Sequence, residues 1–220
     1  MNDILKDVSM AHRIVVKVGT STLTYEHGTM NLKLIDRLSM VLSDLRNQGK
    51  EIILVSSGAQ GIALGKLGLA EKPKDTKGKQ AIAAVGQCEL MYLYDKMFSG
   101  YNNTVAQVLL TREDIAIPRR KRNIQNTVTT LIEMGIIPVV NENDTVSYDE
   151  IEIGDNDNLS AVVADLVDAD YLYFSPILTA CTTMTHTRIK TQNYFLQYTI
   201  LTKSEMLQAV REQAEVRAVW

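Results

Sequence analysis

Residues 134–144 read Met-Gly-Ile-Ile-Pro-Val-Val-Asn-Glu-Asn-Asp, and residues 154–167 read Gly-Asp-Asn-Asp-Asn-Leu-Ser-Ala-Val-Val-Ala-Asp-Leu-Val. The first stretch puts an apolar run ahead of four polar residues, which predicts a buried strand that leads into a polar loop. The second puts a polar cluster ahead of an apolar run, which predicts the N-terminus of a helix. In an open parallel sheet, ligands bind beyond the carboxyl ends of strands and at helix N-termini. We therefore expect the two polar segments to orient a small polar molecule.

Each polar segment taken alone has an equally good structural explanation. Asn and Asp favour turns and helix caps, so either segment is as typical of a turn or a cap as of a site. The two segments together favour a site, because both lie where an α/β fold places its ligands.

The pattern around these segments predicts alternating strands and helices. Apolar runs predict strands at 13–18, 51–55, 105–110 and 136–140, and helical spacing predicts helices at 34–47, 79–99 and 123–134. Such alternation is typical of parallel βαβ units. The expected fold is α/β, with an open, mainly parallel sheet sandwiched by helices. We expect residues 19–22 to be a loop, and Tyr92 and Tyr94 to pack inside the protein.

Composition narrows the class of protein. A chain of 220 residues can bury a substantial core, and a net charge of −3 gives no general attraction to nucleic acid or to an anionic membrane. Cys88 and Cys181 are too few and too far apart to suggest a disulfide framework or a metal site. Residues 1–12 carry no visible signal peptide, and no apolar run reaches membrane-spanning length. These features predict a cytoplasmic protein.

Two strand ends carry residues suited to anionic ligands. Lys17 lies at the end of the first strand, ahead of Gly19, where backbone amides can cradle a phosphate and the ammonium can neutralise a transferring phosphoryl group. The order of residues is not that of a Walker motif. Ser57 and Gly58 follow the second strand, where a hydroxyl and free amides suit a carboxylate. The alternatives are a snorkelling surface lysine and an ordinary helix cap with a close-packing glycine.

The polar segments add three carboxylates, namely Asp144, Asp155 and Asp157. A carboxylate near a phosphoryl-transfer site can hold a lysine, bind a substrate ammonium or help to recruit Mg²⁺. The three histidines are isolated in the sequence, so we predict no protein-bound metal site.

Taken in order, these motifs resemble a known family. The resemblance rests on residues 15–21, 55–59, 83–87, 109–112, 139–144 and 154–161. This set, which spans roughly residues 13–174, is similar to the amino acid kinase family, and within it to the branch that phosphorylates L-glutamate. The resemblance implies transfer of the ATP γ-phosphoryl group, with Mg²⁺ brought by ATP, to the side-chain carboxylate of glutamate. It also implies a place in proline biosynthesis, proline as a feedback inhibitor and a homo-oligomer.

The same resemblance implies roles for individual residues. Ser57, Asp144 and Asn156 would bind glutamate, and Asp157 would hold the catalytic lysines in place. Lys17 would stabilise the transferring phosphoryl group and, with Gly19 and Ser175, contact ATP.

Residues 175–220 depart from the family pattern. Where the family has glycine-rich nucleotide loops, this segment has no glycine, since all 12 glycines lie at or before Gly154. Shifting the reading frame at Ser175 permits Ser-Asp-Ile-Asp-Gly-Leu-Tyr-Asp-Asn-Asp-Pro, which is what the family would place there. We therefore expect a kinase-like domain over 1–174, which holds the substrate half. An aberrant tail over 175–220 then replaces the ATP-binding half, and a helix is expected near 204–216.

Two other functions stay open at this point. One is another amino acid kinase, acting on acetylglutamate, aspartate or carbamate, although the paired polar segments argue against it. The other is a non-catalytic remnant that binds glutamate or proline, or a subunit that associates with an intact kinase.

Overall fold

Strands and helices alternate through the residues that the computed structural model describes, which are 11–25, 29–146, 156–174, 187–188 and 197–202. The strands are β1 (Arg13–Val18), β2 (Glu51–Ser56), β3 (Val105–Leu110), β4 (Ile137–Glu142), β5 (Tyr171–Phe174), β6 (Thr187–Arg188) and β7 (Gln197–Thr202). The helices are α1 (Thr20–Leu23), α2 (Leu32–Asn47), α3 (Ala59–Leu67), α4 (Thr76–Ser99), α5 (Arg112–Ala116), α6 (Pro118–Glu133) and α7 (Asn156–Leu166).

The strands form one sheet in the order β3-β4-β2-β1-β5-β7-β6. The first five strands of that order are parallel, whereas β7 runs antiparallel to β5, and β6 runs antiparallel to β7. This confirms the expected α/β fold with a mainly parallel sheet. Register places Lys17 beside Val55, and Val55 beside Val140, so the carboxyl ends of β1, β2 and β4 meet at one edge.

The apolar core has two layers, one on each face of the sheet. Side chains alternate between the faces along each strand. Val16, Leu54 and Val139 pack with helices α2, α3 and α4, whereas the neighbouring strand residues pack with α6 and α7. Both faces of the central strands are therefore covered, which explains why their sequences are continuous apolar runs instead of alternating ones.

Helices α2, α4 and α6 all begin earlier than the sequence predicts, and the starts of α4 and α6 have identifiable local reasons. Helix α4 begins at Thr76 because the Asp75 side chain caps it, accepting a hydrogen bond from the backbone N–H of Gly78 at 3.2 Å. Helix α6 begins at Pro118, and proline suits the first helical position because its missing N–H would have had no partner there.

Three further predictions on local structure differ in outcome. The expected loop 19–22 is wrong, since residues from Thr20 onward form the short helix α1, closed by the Thr24 N–H to Thr20 carbonyl hydrogen bond at 3.0 Å. Tyr94 is fully buried, which confirms its packing role. Tyr92 is 58% exposed, so its predicted burial is wrong: the two residues lie two positions apart on a helix and point to different sides.

Some predictions fall on residues outside the described part of the chain. These are Ser175, Asp155, Cys181 and the helix near 204–216. Of the predicted tail 175–220, the described residues are those of β6 and β7, which extend the same sheet beyond β5. Within the described residues, no helix is long and apolar enough to cross a membrane.

Candidate functional site

Polar side chains from β1, from the β2–α3 loop, from β4 and from α7 converge at the carboxyl edge of the sheet. The convergence follows from topology, since parallel strands β1, β2 and β4 end side by side and α7 begins next to them. The predicted residues Lys17, Ser57, Asn156 and Asp157 all lie here. Residues distant in sequence therefore form one polar cluster.

Lys17 and Asp157 form an ion pair at the end of β1, with Lys17 Nζ 2.6 Å from Asp157 Oδ1. Lys17 is 8% exposed, and a buried ammonium is costly unless a partner compensates its charge. Asp157 lies in the first turn of α7, where the helix dipole favours a negative side chain. The carboxylate thus holds the lysine at the strand end, which is the position a phosphoryl-binding lysine needs.

Asn156, the first residue of α7, ties the helix to the ends of two strands. Its Nδ2 donates to the Ser56 carbonyl at 2.8 Å, to Ser57 Oγ at 2.7 Å and to Asn141 Oδ1 at 3.0 Å. The two predicted glutamate-binding residues Ser57 and Asn156 are therefore in direct contact. The contact also fixes the start of α7 beside Lys17.

Strand β4 continues two residues further than predicted and takes the first polar residues, Asn141 and Glu142, into the sheet. Asn141 is buried, and its Nδ2 donates to Gln87 Oε1 on α4 at 2.8 Å. Sequence reasoning did not assign a role to Gln87. The sequence does carry a signal, because the Gln87 carboxamide directly follows the small and apolar residues 81–86 of the helix. A polar group on such a helix face is expected to be buried and to need a hydrogen-bond partner.

The loop after β2 depends on a glycine. Gly58 has φ of +99°, a conformation that favours glycine, and a Cβ there would lie 3.2 Å from Leu23 Cδ1. The preceding backbone is tied to β1, since the Ser57 N–H donates to the Val18 carbonyl at 2.9 Å. The Ser57 hydroxyl is thereby held at the edge of the sheet.

Asp144 lies in the turn after β4, half-buried, with Gln60 Nε2 3.4 Å from its Oδ2. Burial raises the pKa of Asp144 above its ordinary value, and the Gln60 hydrogen bond and the charge of Lys72 oppose that rise. Gln60 belongs to α3, which begins directly after Ser57 and Gly58. Asp144 therefore joins the cluster through α3 and not through Asn156.

The space beside the Lys17 ammonium suits an anionic group. A Cβ at Gly19 would lie 3.7 Å from Lys17 Nζ, so the missing side chain leaves the ammonium approachable from that side. Within the described residues, no group of three or more His, Cys, Asp or Glu could hold a metal ion. A cation and small neighbours at a strand end fit an anionic ligand.

Comparison with known proteins agrees with this geometry. The model of the amino acid kinase family matches residues 12–175. Over 176 residues the chain is 58% identical to a glutamate 5-kinase from Clostridium perfringens, an alignment that covers 78% of this chain and 64% of that protein. Glutamate 5-kinases from Enterococcus faecalis and Listeria monocytogenes are 54% and 56% identical, with 75% and 73% of this chain covered and 62% and 59% of theirs. The chain thus spans about three fifths of these curated relatives.

A solved structure gives independent support for the fold alone. The crystal structure of UMP kinase from Ureaplasma parvum superposes with a TM-score of 0.51 at 12% sequence identity, over 76% of this chain and 69% of that one.

Proposed function

Because this chain belongs to the amino acid kinase family, we propose that it carries the acceptor half of a glutamate 5-kinase. That enzyme transfers the γ-phosphoryl group of ATP to the side-chain carboxylate of L-glutamate, giving γ-glutamyl phosphate at the start of proline biosynthesis. Support comes from identities of 54–58% with glutamate 5-kinases, and from the polar cluster at the sheet edge.

The observation that carries the proposal is the spacing of charge and amide groups at this edge. The Lys17–Asp157 ion pair and the Asn156–Ser57 hydrogen bond belong to adjacent residues at the start of one helix. A phosphoryl-binding cation therefore sits next to groups that can orient a small amino acid. Positioning and electrostatics are what such a transfer requires, because the donor and acceptor oxygens must be held in line.

Each residue then has a role that follows from its chemistry. Lys17 neutralises charge that develops on the transferring phosphoryl group, and Asp157 holds its ammonium in place. Ser57, Asn156 and Asp144 bind glutamate, with the Asp144 carboxylate suited to the α-ammonium. Gly19 leaves space for the phosphoryl oxygens, and Ser175 would contact ATP. ATP supplies the phosphoryl group, and Mg²⁺ arrives with it.

Three features of the whole enzyme belong to the same proposal. Proline would inhibit the reaction as a feedback ligand, the active form would be a homo-oligomer, and the reaction would take place in the cytoplasm. These rest on the similarity to glutamate 5-kinases and not on contacts among the described residues.

A second candidate function has a specific observation in its favour. The family match stops at residue 175 and leaves residues 176–220, which contain no glycine, outside it. We propose as the alternative that this chain binds glutamate at the acceptor half without transferring phosphate, with 1–174 as the kinase-like domain and 175–220 as a replaced segment. Sequencing the gene tests the replacement, because a closed alternative frame at codon 175 would rule out a frameshift.

Calorimetry and a chemical trap separate the two functions. Titration with L-glutamate tests the acceptor site, and titration with ATP tests the nucleotide site. Incubation with ATP, Mg²⁺, glutamate and hydroxylamine then converts any acyl phosphate into a coloured hydroxamate. Trapped hydroxamate supports the kinase, glutamate binding without ATP binding supports the second function, and failure to bind glutamate rules out both.

A further inference from the structure

Three carboxamide side chains form a hydrogen-bonded series across the sheet edge. Asn156 Nδ2 donates to Asn141 Oδ1 at 3.0 Å, and Asn141 Nδ2 donates to Gln87 Oε1 at 2.8 Å. The series runs from the first residue of α7, through the end of β4, to the middle of α4. Each amide donates in the same direction, so the series has a polarity.

Backbone groups fix that polarity independently of the side chains. The Glu142 N–H can only donate, and it lies 2.9 Å from Asn141 Oδ1, which identifies that atom as the oxygen. The Ser56 carbonyl can only accept, and it lies 2.8 Å from Asn156 Nδ2, which identifies that atom as the nitrogen. The orientation of both asparagine amides therefore follows from main-chain chemistry.

Gln87 is the last acceptor of the series and lies in the protein interior. It is 8% exposed, and its Oε1 is the acceptor that satisfies the buried Asn141 nitrogen. The preceding residue, Gly86, allows this position. A Cβ at Gly86 would lie 1.7 Å from the Ala59 carbonyl oxygen, so only glycine lets the backbones of α4 and α3 come into contact. This approach brings the Gln87 side chain to the end of β4.

The series determines where the side-chain oxygen of Asn156 points. Asn156 Nδ2 is surrounded by three acceptors of the protein, whereas Asn156 Oδ1 accepts no hydrogen bond from the described residues. We propose that Gln87 is a positioning residue, which acts through Asn141 to hold the Asn156 carboxamide with its oxygen presented to the ligand. The site then selects a ligand that offers a hydrogen-bond donor, here the α-ammonium of glutamate.

The inference rests on the proposed glutamate site and specifies how that site recognises its ligand. An amide oxygen accepts a hydrogen bond from an ammonium and gains none from a methylene, so Asn156 favours glutamate over the dicarboxylic acid of the same length that lacks the α-ammonium. Without the Gln87 acceptor, the buried Asn141 nitrogen would have to turn toward another partner, and the Asn156 oxygen would lose its fixed direction.

The test compares two probes, L-glutamate and glutarate, which differ by the α-ammonium group. Their affinities for the whole chain are measured by calorimetry, and the ratio of the two is the readout. We expect wild type to favour glutamate by at least about tenfold, and Gln87→Met, which removes the acceptor but keeps the length, to lower that ratio about fivefold to tenfold. Gln87→Glu keeps an acceptor oxygen in either protonation state and should hold the ratio within about twofold of wild type.

Tyr94→Phe is the matched control, because it removes a different buried polar contact of α4, the 2.8 Å hydrogen bond between Tyr94 OH and Ser56 Oγ. It should destabilise the fold without changing the ratio. An unchanged ratio in Gln87→Met overturns the inference, as does an equal loss in Tyr94→Phe. Equal wild-type affinities for both probes overturn it while leaving the proposed function intact, whereas a wild type that binds neither probe overturns both.

A measurement on wild type alone covers the case in which Gln87→Met does not fold. Side-chain amide NMR of the asparagines should show that glutamate shifts the Asn156 amide resonances and that glutarate, at equal occupancy, leaves them near their free positions. Equal shifts with the two probes would overturn the inference.

Discussion

Lys17 Nζ and Asp157 Oδ1 lie 2.6 Å apart, joining the penultimate residue of the central strand β1 to the first turn of α7. The lysine is almost fully buried, whereas the aspartate side chain is 38% exposed. The buried ammonium depends on this carboxylate to compensate its charge. The importance of the pair lies in where it holds the ammonium.

Lys17→Ala should therefore reduce phosphoryl transfer far more than glutamate binding. Loss of a preorganised charge at a transition state typically costs about 100-fold or more in kcat, while we expect the Kd for glutamate to change less than about threefold. Hydroxamate formation and calorimetry measure the two quantities. Lys33→Ala, at an exposed lysine of α2, is the control and should change neither. A Lys17→Ala variant with wild-type kcat would remove Lys17 from the chemistry.

Asn156→Ala should weaken glutamate binding by about tenfold or more. The substitution removes the carboxamide that contacts Ser57 and Asn141 and leaves their acceptor groups without this donor. Calorimetry at neutral pH gives the Kd directly, and Asn126→Ala, at an exposed position on α6, is the matched control. Equal Kd values for Asn156→Ala and wild type would contradict a role in binding.

Glutamate affinity should decrease with acidification because of Asp144. Burial raises the pKa of this carboxyl above its ordinary value of 3.8, so it becomes protonated at a higher pH than an exposed aspartate and loses its attraction for an ammonium. Gln60→Leu removes a hydrogen bond that lowers this pKa, and it should move the decrease in affinity to higher pH. Calorimetric titrations on acidification would follow both effects, and a pH dependence that Gln60→Leu leaves unchanged would contradict a role of the Asp144 carboxylate in ammonium binding.

Asp144→Asn should separate stability from binding. A carboxyl whose pKa is raised on folding favours the folded state while protonated, and that contribution is lost as pH rises from 3.8 through the folded-state pKa. At neutral pH the wild type therefore bears the cost of a half-buried charge. We expect Asp144→Asn to equal or exceed wild type in Tm at pH 7 while binding glutamate more weakly. A lower Tm would show that the carboxylate stabilises the fold.

Gly86→Ala should destabilise the protein severely. The added Cβ would lie 1.7 Å from the Ala59 carbonyl oxygen, a backbone atom that cannot move without separating α3 from α4. The expected loss in the free energy of unfolding is about 3 kcal/mol or more. Gly49→Ala offers a comparison, since φ there is +89° but nothing lies within 4 Å of the new Cβ, and it should cost only about 1 kcal/mol. Urea unfolding would distinguish the two, and similar losses would contradict the steric argument.

The sequence predicts four of the five parallel strands because each of the four is an apolar run, and β1 and β3 match the expected ranges residue for residue. It predicts helix starts less well, since those depend on single capping interactions such as that of Asp75. The sequence pattern places Lys17 at a strand end and Asp157 at a helix start. The parallel topology then explains why the two residues meet at one edge of the sheet.

Gln87 shows what the sequence cannot supply. Its partner Asn141 lies 54 positions away, and their contact depends on the close approach of two helices at Gly86. A polar residue in a helix is ordinarily assigned to the surface. Only the packed structure shows that this one satisfies a buried amide at the end of β4.

The central position of β1 has a consequence for synthesis of the chain. Val18 ends the first strand among the described residues, yet β1 lies between β2 and β5, and β5 begins only at Tyr171. At translation rates of about 5–20 residues per second, roughly 8–30 s pass between the appearance of these two strands. Throughout that interval one edge of an apolar strand has no native neighbour. The nascent chain is therefore exposed to mispairing at its innermost strand, and chaperones that shield strand edges would act on it before the sheet is complete.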